Sequence, residues 1–233
     1  MYAKSERSKL LAYLLNDPEI SSLWELYTGH PILKKLADGS LPFSQFNYLL
    51  QQNYCYLKDY AELHSLMRDE LLQAPLKPPH FEKLVVYENA AIELTETVID
   101  YYSEQLGGIY IKQGKACNAY IGHLSQVLYN KSNNWLVQIS AFLPCIYGYY
   151  DGCSSVLSNT LMTIPNNSIY REWLTGCLSS ECLQACNDTV PLIDEYYPLE
   201  KLDQPTLTLI AGIFKVSCEC EIAYWDEVIA FQE

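Results

Sequence analysis

The stretch that most constrains this chain is residues 43–72, which contain neither glycine nor proline and carry apolar side chains at helical spacing. The apolar positions cluster at intervals of three and four, at Phe43, Phe46, Leu49, Leu50, Tyr54, Leu57, Ala61, Leu63 and Leu66. This spacing places them on one face of an α-helix. Residues 73–80 (QAPLKPPH) are typical of a linker, and a second long helix is predicted over 81–106.

Helical patterns continue through the rest of the chain, and alternating strand patterns are hard to find. We predict further helices over residues 4–27, 115–129 and 206–230. A hydrophobic fraction of 49% in 233 residues is enough for a sizeable core. We therefore expect an all-α bundle of about seven to nine helices that forms one domain over residues 1–233.

Charge and cysteine content narrow the possible partners and the compartment. The net charge of −13 makes nucleic acid and anionic membrane surfaces poor partners, and a neutral or cationic small molecule is more compatible. No stretch reaches the roughly 20 apolar residues that span a bilayer. The nine cysteines form no regular framework, and the N-terminal residues lack a long apolar core. We expect free thiols and a cytoplasmic location.

The most apolar run of the chain is LVQISAFLPCIYGYYD, residues 136–151. Pro144 lacks a backbone N–H and crowds the preceding turn, so we expect a helix kink there. Cys145 follows directly, and Tyr149 lies one turn further on the same face. Two interpretations are open: Cys145 is a small buried hydrophobe in the core, or it is a reactive thiol beside a helix defect.

The other cysteines do not predict a metal site. Cys177, Cys182 and Cys186 are spaced five and four apart within helical patterns, and Cys218 and Cys220 would face apart on a helix. Structural zinc usually takes cysteines two to four residues apart in turns. The paired Glu-x-x-His motifs of di-iron bundles are missing, as are glycine-rich phosphate loops and the G-x-S-x-G nucleophile elbow.

Two polar residues occur within apolar helical patterns. Glu221 lies on an otherwise apolar face with Tyr224, where a carboxylate is paired, functional or exposed at a helix edge. Asn53 shares a face with Tyr56 and Tyr60. Its amide could recognise the edge of a ring, or it could form an interhelical hydrogen bond that fixes packing.

Six segments resemble, in the same order, motifs of the TenA family, the thiaminase II or aminopyrimidine aminohydrolase proteins. The segments are HPILKKLADGSLP (30–42), FNYLLQQNYCYL (46–57), AYIGHL (119–124), AFLPCIYGYYDG (141–152), IYREWLTGC (169–177) and CEIAYWD (220–226). The resemblance implies a helical bundle of the haem-oxygenase type, usually a homotetramer. It also implies thiamine salvage, in which 4-amino-5-aminomethyl-2-methylpyrimidine, and weakly thiamine, is hydrolysed to the hydroxymethyl pyrimidine without metal or organic cofactor.

Matched position by position, the resemblance implies that Cys145 is the nucleophile and Glu221 the active-site glutamate. Tyr56, Tyr120 and Tyr149 correspond to tyrosines of the family's site. The implied chemistry begins with addition of the thiolate to the electron-poor pyrimidine, and the glutamic acid supplies a proton to the ring nitrogen. The amine then leaves, water replaces it, and the thiolate is expelled.

Two positions depart from the family pattern. The family's aspartate, which faces the aminopyrimidine edge, is Asn53 here, and a tyrosine that lines the family's pocket is Cys177. Asparagine donates as well as accepts hydrogen bonds, and it carries no charge. We expect both residues to bind substrate and the specificity of the pocket to be altered.

Three alternatives remain open from the sequence. The first is a hydrolase of the same fold that acts on a different amine or amide. The second is a non-catalytic relative that binds a pyrimidine or a protein partner. The third is an oxygenase similar to the pyrroloquinoline-quinone synthase relatives of this fold. The third alternative would need a carboxylate–histidine set of metal ligands, which the sequence does not suggest.

Overall fold

The computed structural model describes residues 4–78, 80–107, 111–159 and 164–232, and within these ranges the regular structure is entirely helical. The described residues form eleven α-helices: α1 Lys9–Leu15, α2 Pro18–Thr28, α3 Pro31–Asp38, α4 Phe43–Gln73, α5 Phe81–Leu106, α6 Lys115–Tyr129, α7 Trp135–Ser140, α8 Leu143–Asn159, α9 Ile169–Gly176, α10 Ser180–Tyr196 and α11 Gln204–Ala230. A 3-10 helix, Leu199–Lys201, precedes α11. The predicted all-α class is confirmed, and the helices outnumber the expected seven to nine because several predicted helices are divided.

Helices α4 and α5 are the two long helices that the sequence predicts on either side of the linker, and they pack along each other. Gly107 ends α5 with a left-handed backbone (φ 62°), a conformation that glycine adopts without steric cost. A buried hydrogen bond joins the two helices, since His64 Nδ1 lies 2.5 Å from Glu88 Oε2. Trp135 of α7 donates to Glu88 Oε1 at 2.6 Å. Each carboxylate oxygen of Glu88 therefore has a partner in the core.

The predicted first helix is divided in two. The helix expected over residues 4–27 breaks before Pro18, where Asp17 accepts hydrogen bonds from the backbone N–H groups of Glu19 and Ile20. Asp17 thereby caps α2, and Pro18 takes the first helical position, where its missing N–H costs no hydrogen bond.

The helix expected to kink at Pro144 is instead broken two residues earlier, at Ala141 and Phe142. Pro144 lies in the first turn of α8, where a proline leaves no helical hydrogen bond unmade. The predicted kink is therefore wrong, because the helix is interrupted completely, but the interruption lies close to the predicted position. The break starts a new helix at Leu143, so that Cys145 lies in the first turn of α8.

Helix α8 approaches α2 closely through two glycines one turn apart. A Cβ at Gly148 would overlap the ring of Tyr27, and one at Gly152 would overlap Leu33 and approach the Thr28 backbone. Helix α11 packs against α2, α4, α6, α7 and α8. These contacts place residues from α2, α8 and α11 next to one another in the interior.

The nine cysteines are all free thiols. In the described ranges no helix combines the length and the apolarity needed to cross a membrane.

Candidate active site

A cavity of about 190 Å³ lies between α4, α5, α8, α9 and α10. Its wall is mainly apolar and aromatic, and five of the seven predicted site residues line it: Asn53, Tyr56, Cys145, Tyr149 and Cys177. Asn53 and Tyr56 come from α4, one turn apart, because the helical spacing of three places them on one face. Cys145 and Tyr149 come from successive turns of α8. The predicted residues that are far apart in sequence thus meet at one place.

The other two predicted residues, Tyr120 and Glu221, lie behind this wall. Tyr120 on α6 is buried, and its ring stacks on that of Tyr56 with centroids 5.2 Å apart. Glu221 on α11 is only 1% exposed. The second layer therefore consists of a phenol and a carboxyl group shielded from solvent.

Burial dominates the electrostatics of this layer. It raises the pKa of Glu221 to about 8, while the hydroxyls of Tyr120 and Tyr27 act in the opposite direction. No hydrogen bond of normal geometry joins these hydroxyls to the carboxyl group. Glu221 is therefore mainly protonated at neutral pH and can supply a proton.

The thiol of Cys145 is also affected by burial, which raises its pKa well above the ordinary value. The charge of Glu221 adds to this effect, and the Tyr56 hydroxyl opposes it. The free site thus holds a neutral thiol in the cavity wall and a neutral carboxylic acid in the layer behind it.

Five buried polar atoms around this place have no hydrogen-bond partner in the parts of the chain that the structure describes. They are Tyr27 Oη, Tyr56 Oη, Tyr120 Oη, Glu221 Oε1 and Trp225 Nε1. Buried polar atoms are rarely left without a partner, and groups of them mark places where a polar ligand can bind.

Sequence reasoning missed Tyr27 as a member of this group. Its ring packs edge-on against Tyr149, with centroids 6.3 Å apart. The only local signal was its place on the apolar face of the predicted first helix, which does not distinguish a site residue from core.

Asn53 takes part in a network that spans several helices. The hydroxyl of Tyr224 donates to Asn53 Oδ1 at 2.6 Å, and Asn53 Nδ2 donates to Tyr102 Oη at 3.2 Å. Trp173 Nε1 donates to the same Tyr102 oxygen at 3.1 Å. Asn53 therefore forms the interhelical hydrogen bonds of the packing interpretation. It also lines the cavity, and recognition of a ring edge by its amide stays a prediction. Tyr102, which also lines the cavity, was not predicted from sequence.

The remaining cysteines are distributed between cavity and core. Cys182 lines the cavity with Cys177, whereas Cys186 is buried and its thiol donates to the Ile146 carbonyl at 3.2 Å. Among the residues that the structure describes, no three histidine, cysteine or acidic side chains are grouped so that they could hold a metal ion.

The fold and this cavity define an all-helical bundle protein with a cysteine-bearing pocket between its helices. The chain belongs to the TENA/THI-4/PQQC family, whose sequence model matches residues 17–230. It is 27% identical to an aminopyrimidine aminohydrolase of Halalkalibacterium halodurans, over 88% of this chain and 89% of that protein. It is also 28% identical, over 94% of its own length, to the hydroxymethylpyrimidine/phosphomethylpyrimidine kinase THI20 of Saccharomyces cerevisiae.

The lengths of these relatives differ. The chain spans only 39% of the yeast protein, so it corresponds to one part of a longer polypeptide there. Solved structures agree on the fold. A TenA family transcription regulator from Silicibacter sp. TM1040 superposes with a TM-score of 0.76 at 17% identity, over 96% of this chain and 98% of that one. The TenA homologue of P. horikoshii OT3 gives 0.74 at 18% identity, over 95% and 98%.

Proposed function

We propose that this protein is a hydrolase of thiamine salvage that cleaves a C–N bond next to a pyrimidine ring. The proposed substrate is 4-amino-5-aminomethyl-2-methylpyrimidine, with thiamine as a weaker one. The observation that carries this proposal is a thiol in the cavity wall, Cys145, in front of a buried carboxyl group, Glu221, whose pKa is raised to about 8. A thiol and a protonated carboxyl group are the two functional groups that addition to a nitrogen heterocycle requires. Several relatives bear the name aminopyrimidine aminohydrolase.

In the first proposed step, the sulfur of Cys145 forms a bond to a ring carbon while Glu221 gives its proton to a ring nitrogen. The thiol proton passes to the exocyclic amine. The ring electrons then expel that amine as ammonia, which leaves an exocyclic methylene group. The C–N bond is broken and no oxidant or reductant is consumed.

In the second step, water adds to the methylene carbon and its proton returns to the sulfur as the C–S bond breaks. Glu221 takes back the proton of the ring nitrogen, so both residues end as they began. The net reaction exchanges the amine for a hydroxyl group. Each residue acts twice, once in each direction of proton transfer.

The aromatic wall supports a flat ring as the ligand. Tyr149 meets Trp173 edge to face with centroids 6.2 Å apart, and it lies 5.1 Å from the ring of Trp225. Offset and edge-on arrangements of this kind are those that aromatic rings prefer. A pyrimidine could extend the cluster without disturbing it.

The proposal is tested by measuring ammonia release from the aminomethyl pyrimidine under single-turnover conditions. Wild type should release one equivalent, and Cys145→Ser should lose about 1,000-fold or more in rate, because a hydroxyl is a far weaker nucleophile. Cys182→Ser, which changes another thiol of the same cavity, is the matched control and should stay within about threefold, as surface and wall changes outside the chemistry usually do. If Cys145→Ser retains the wild-type rate, the proposal is wrong. Ligand binding without turnover would instead indicate a pyrimidine-binding protein.

The proposal extends to compartment and assembly. Nine free thiols suit the reducing cytoplasm. Large apolar side chains remain exposed, among them Phe43 at 67% and Leu76 at 88%, and they would suit contacts between copies in a homo-oligomer, tetramer or dimer. Light scattering at several concentrations measures the assembly directly. The proposed chemistry calls on no metal or organic cofactor.

A further inference from the structure

The hydrogen bonds around Tyr102 determine where its own proton can go. The indole N–H of Trp173 can only donate, so the Tyr102 oxygen accepts that bond. The 2.6 Å contact between Tyr224 and Asn53 has the length of an O–H···O bond, and the 3.2 Å contact between Asn53 and Tyr102 has that of an N–H···O bond. These lengths orient the amide with its nitrogen toward Tyr102.

The Tyr102 oxygen therefore accepts two hydrogen bonds, one from Trp173 and one from Asn53. Its own O–H has no acceptor among the residues that the structure describes. The second N–H of the Asn53 amide is free in the same way. Both residues line the cavity, so both protons can be offered to a ligand. Burial raises the pKa of Tyr102, which keeps the phenol protonated at neutral pH.

An aspartate at position 53 would reverse this arrangement. A carboxylate only accepts, so in an Asn53→Asp variant Tyr102 would donate its proton to the new carboxylate oxygen and present a lone pair to the cavity. The asparagine thus changes two groups at once. It replaces an acceptor at position 53 and releases the Tyr102 proton.

We propose that Asn53 and Tyr102 form a donor pair that selects a pyrimidine with a hydrogen-bond acceptor, such as an oxo group, on the edge facing them. A ring with an amino group at that position would bind less well, because donor would face donor. The inference rests on the proposed function in placing a pyrimidine in the cavity, and it refines the substrate class named there: the 4-amino ring is accepted, and its 4-oxo counterpart is bound more tightly. Tyr102 becomes a specificity residue.

The test compares 2,5-dimethylpyrimidin-4-amine with 2,5-dimethylpyrimidin-4-one, which carry an amino group and an oxo group at the same ring carbon. The oxo ring is a lactam, so it also has an N–H where the amino ring has a lone pair. Both donors of the Asn53–Tyr102 pair therefore meet the oxo oxygen, which has two lone pairs. Neither ring carries a leaving group, so calorimetric titration measures affinity without turnover. Wild type should bind the oxo ring about tenfold or more tightly than the amino ring, the usual effect of a mismatched buried polar group. Asn53→Asp should reverse this order.

Tyr102→Phe should weaken binding of the oxo ring about tenfold and change the affinity for the amino ring little. The matched control is Tyr101→Phe, because the neighbouring hydroxyl donates to Glu172 at the surface at 2.8 Å. It should leave both affinities unchanged. If Tyr102→Phe does not fold, as judged by circular dichroism, Asn53→Asp carries the test, since it keeps a partner for Tyr102.

Three results would overturn the inference: tighter binding of the amino ring by wild type, an equal loss for both rings in Tyr102→Phe, or no binding of either ring. Failure of the proposed function has a different signature. In that case Cys145→Ser leaves ammonia release unchanged, whatever the order of the two affinities.

Discussion

The rings of Tyr56 and Tyr120 stack with centroids 5.2 Å apart, and both hydroxyls lie in the interior without a hydrogen-bond partner among the described residues. One tyrosine comes from α4 and the other from α6, so the pair joins the cavity wall to the layer that holds Glu221. The stacked rings contribute packing to stability. The hydroxyls act to lower the pKa values of Glu221 and Cys145, and they can still bind a ligand.

This arrangement predicts that Tyr120→Phe separates activity from stability. The variant should lose about 10- to 100-fold in rate if the hydroxyl contacts the ligand, because a hydrogen bond in a buried site has about that effect. Its free energy of unfolding should be unchanged or higher by up to about 1 kcal/mol, since an unpaired buried hydroxyl is removed. Ammonia release and urea unfolding measure the two effects.

The control for that experiment is Tyr147→Phe. The Tyr147 hydroxyl is buried and bonds to the Cys186 carbonyl at 2.7 Å and to Thr189 at 2.6 Å. Its loss should lower the free energy of unfolding by about 1–3 kcal/mol and leave the rate nearly unchanged. If both variants behave alike, the Tyr120 hydroxyl has no special relation to the ligand.

A second prediction concerns the dependence of the rate on pH. Glu221 has a pKa of about 8, so the proton that it supplies is present below that pH and lost above it. The rate should therefore fall as pH rises through about 8. Glu221→Gln should lower the rate about 100-fold or more, because an amide cannot act as the acid. The remaining rate should not show this fall with pH. A wild-type rate that is flat from pH 7 to about 9 would contradict the assignment.

Glu221 also predicts how stability varies with pH. The folded pKa of about 8 lies above the ordinary value of 4.5, so the folded state keeps a proton that the unfolded state releases. Stability should fall as pH rises between these two values, by on the order of 4 kcal/mol, and level off above them. Urea unfolding of wild type and Glu221→Gln at pH about 5 and 8 measures the difference, and the fall should be much smaller in the variant. If the free energy of unfolding falls equally with pH in the two proteins, Glu221 is not the cause of the fall.

Helix approach gives a fourth prediction. Gly148→Ala would place a methyl group against the Tyr27 ring, so we expect a loss of about 1–3 kcal/mol in stability together with reduced activity. Gly122→Ala on α6 is the matched control, because a Cβ added there would have no neighbouring atom within 4 Å. That change should stabilise by about 0.5–1 kcal/mol, as alanine does in a helix. Thermal unfolding measures both changes in stability. Changes of opposite sign in the two variants would support the close contact of α2 and α8, and changes of the same sign would contradict it.

Local signals allowed much of the fold to be predicted. The helix expected over residues 115–129 is observed as Lys115–Tyr129, because a glycine precedes it and a polar loop follows it. The long helices on either side of the proline-rich linker were predicted for similar reasons. In contrast, the break between α7 and α8 lies at Ala141 and Phe142, which are neither proline nor glycine. Pro144 predicts a distortion in the turn before it, because it crowds the carbonyl four residues earlier, but it does not predict that a new helix begins at Leu143.

The candidate site shows the same division. Cys145 and Tyr149 could be related by their spacing on one helix, and Glu221 could be singled out as a carboxyl group on an apolar face. The family resemblance supplied Tyr120 and the role of Glu221. Tyr102 could not be found in this way, because its role arises from bonds to Trp173 and to Asn53, which are 71 and 49 residues away along the chain. Such contacts exist only once α4, α5 and α9 have packed.

The raised pKa of the Cys145 thiol means that the free protein holds its proposed nucleophile as a thiol and not as the reactive thiolate. Oxidants and alkylating agents attack thiolates, so a neutral thiol is comparatively safe between turnovers. Under the proposed function, loss of the thiol proton accompanies the arrival of a substrate that can accept it. The protein should therefore lose little activity during long periods without substrate.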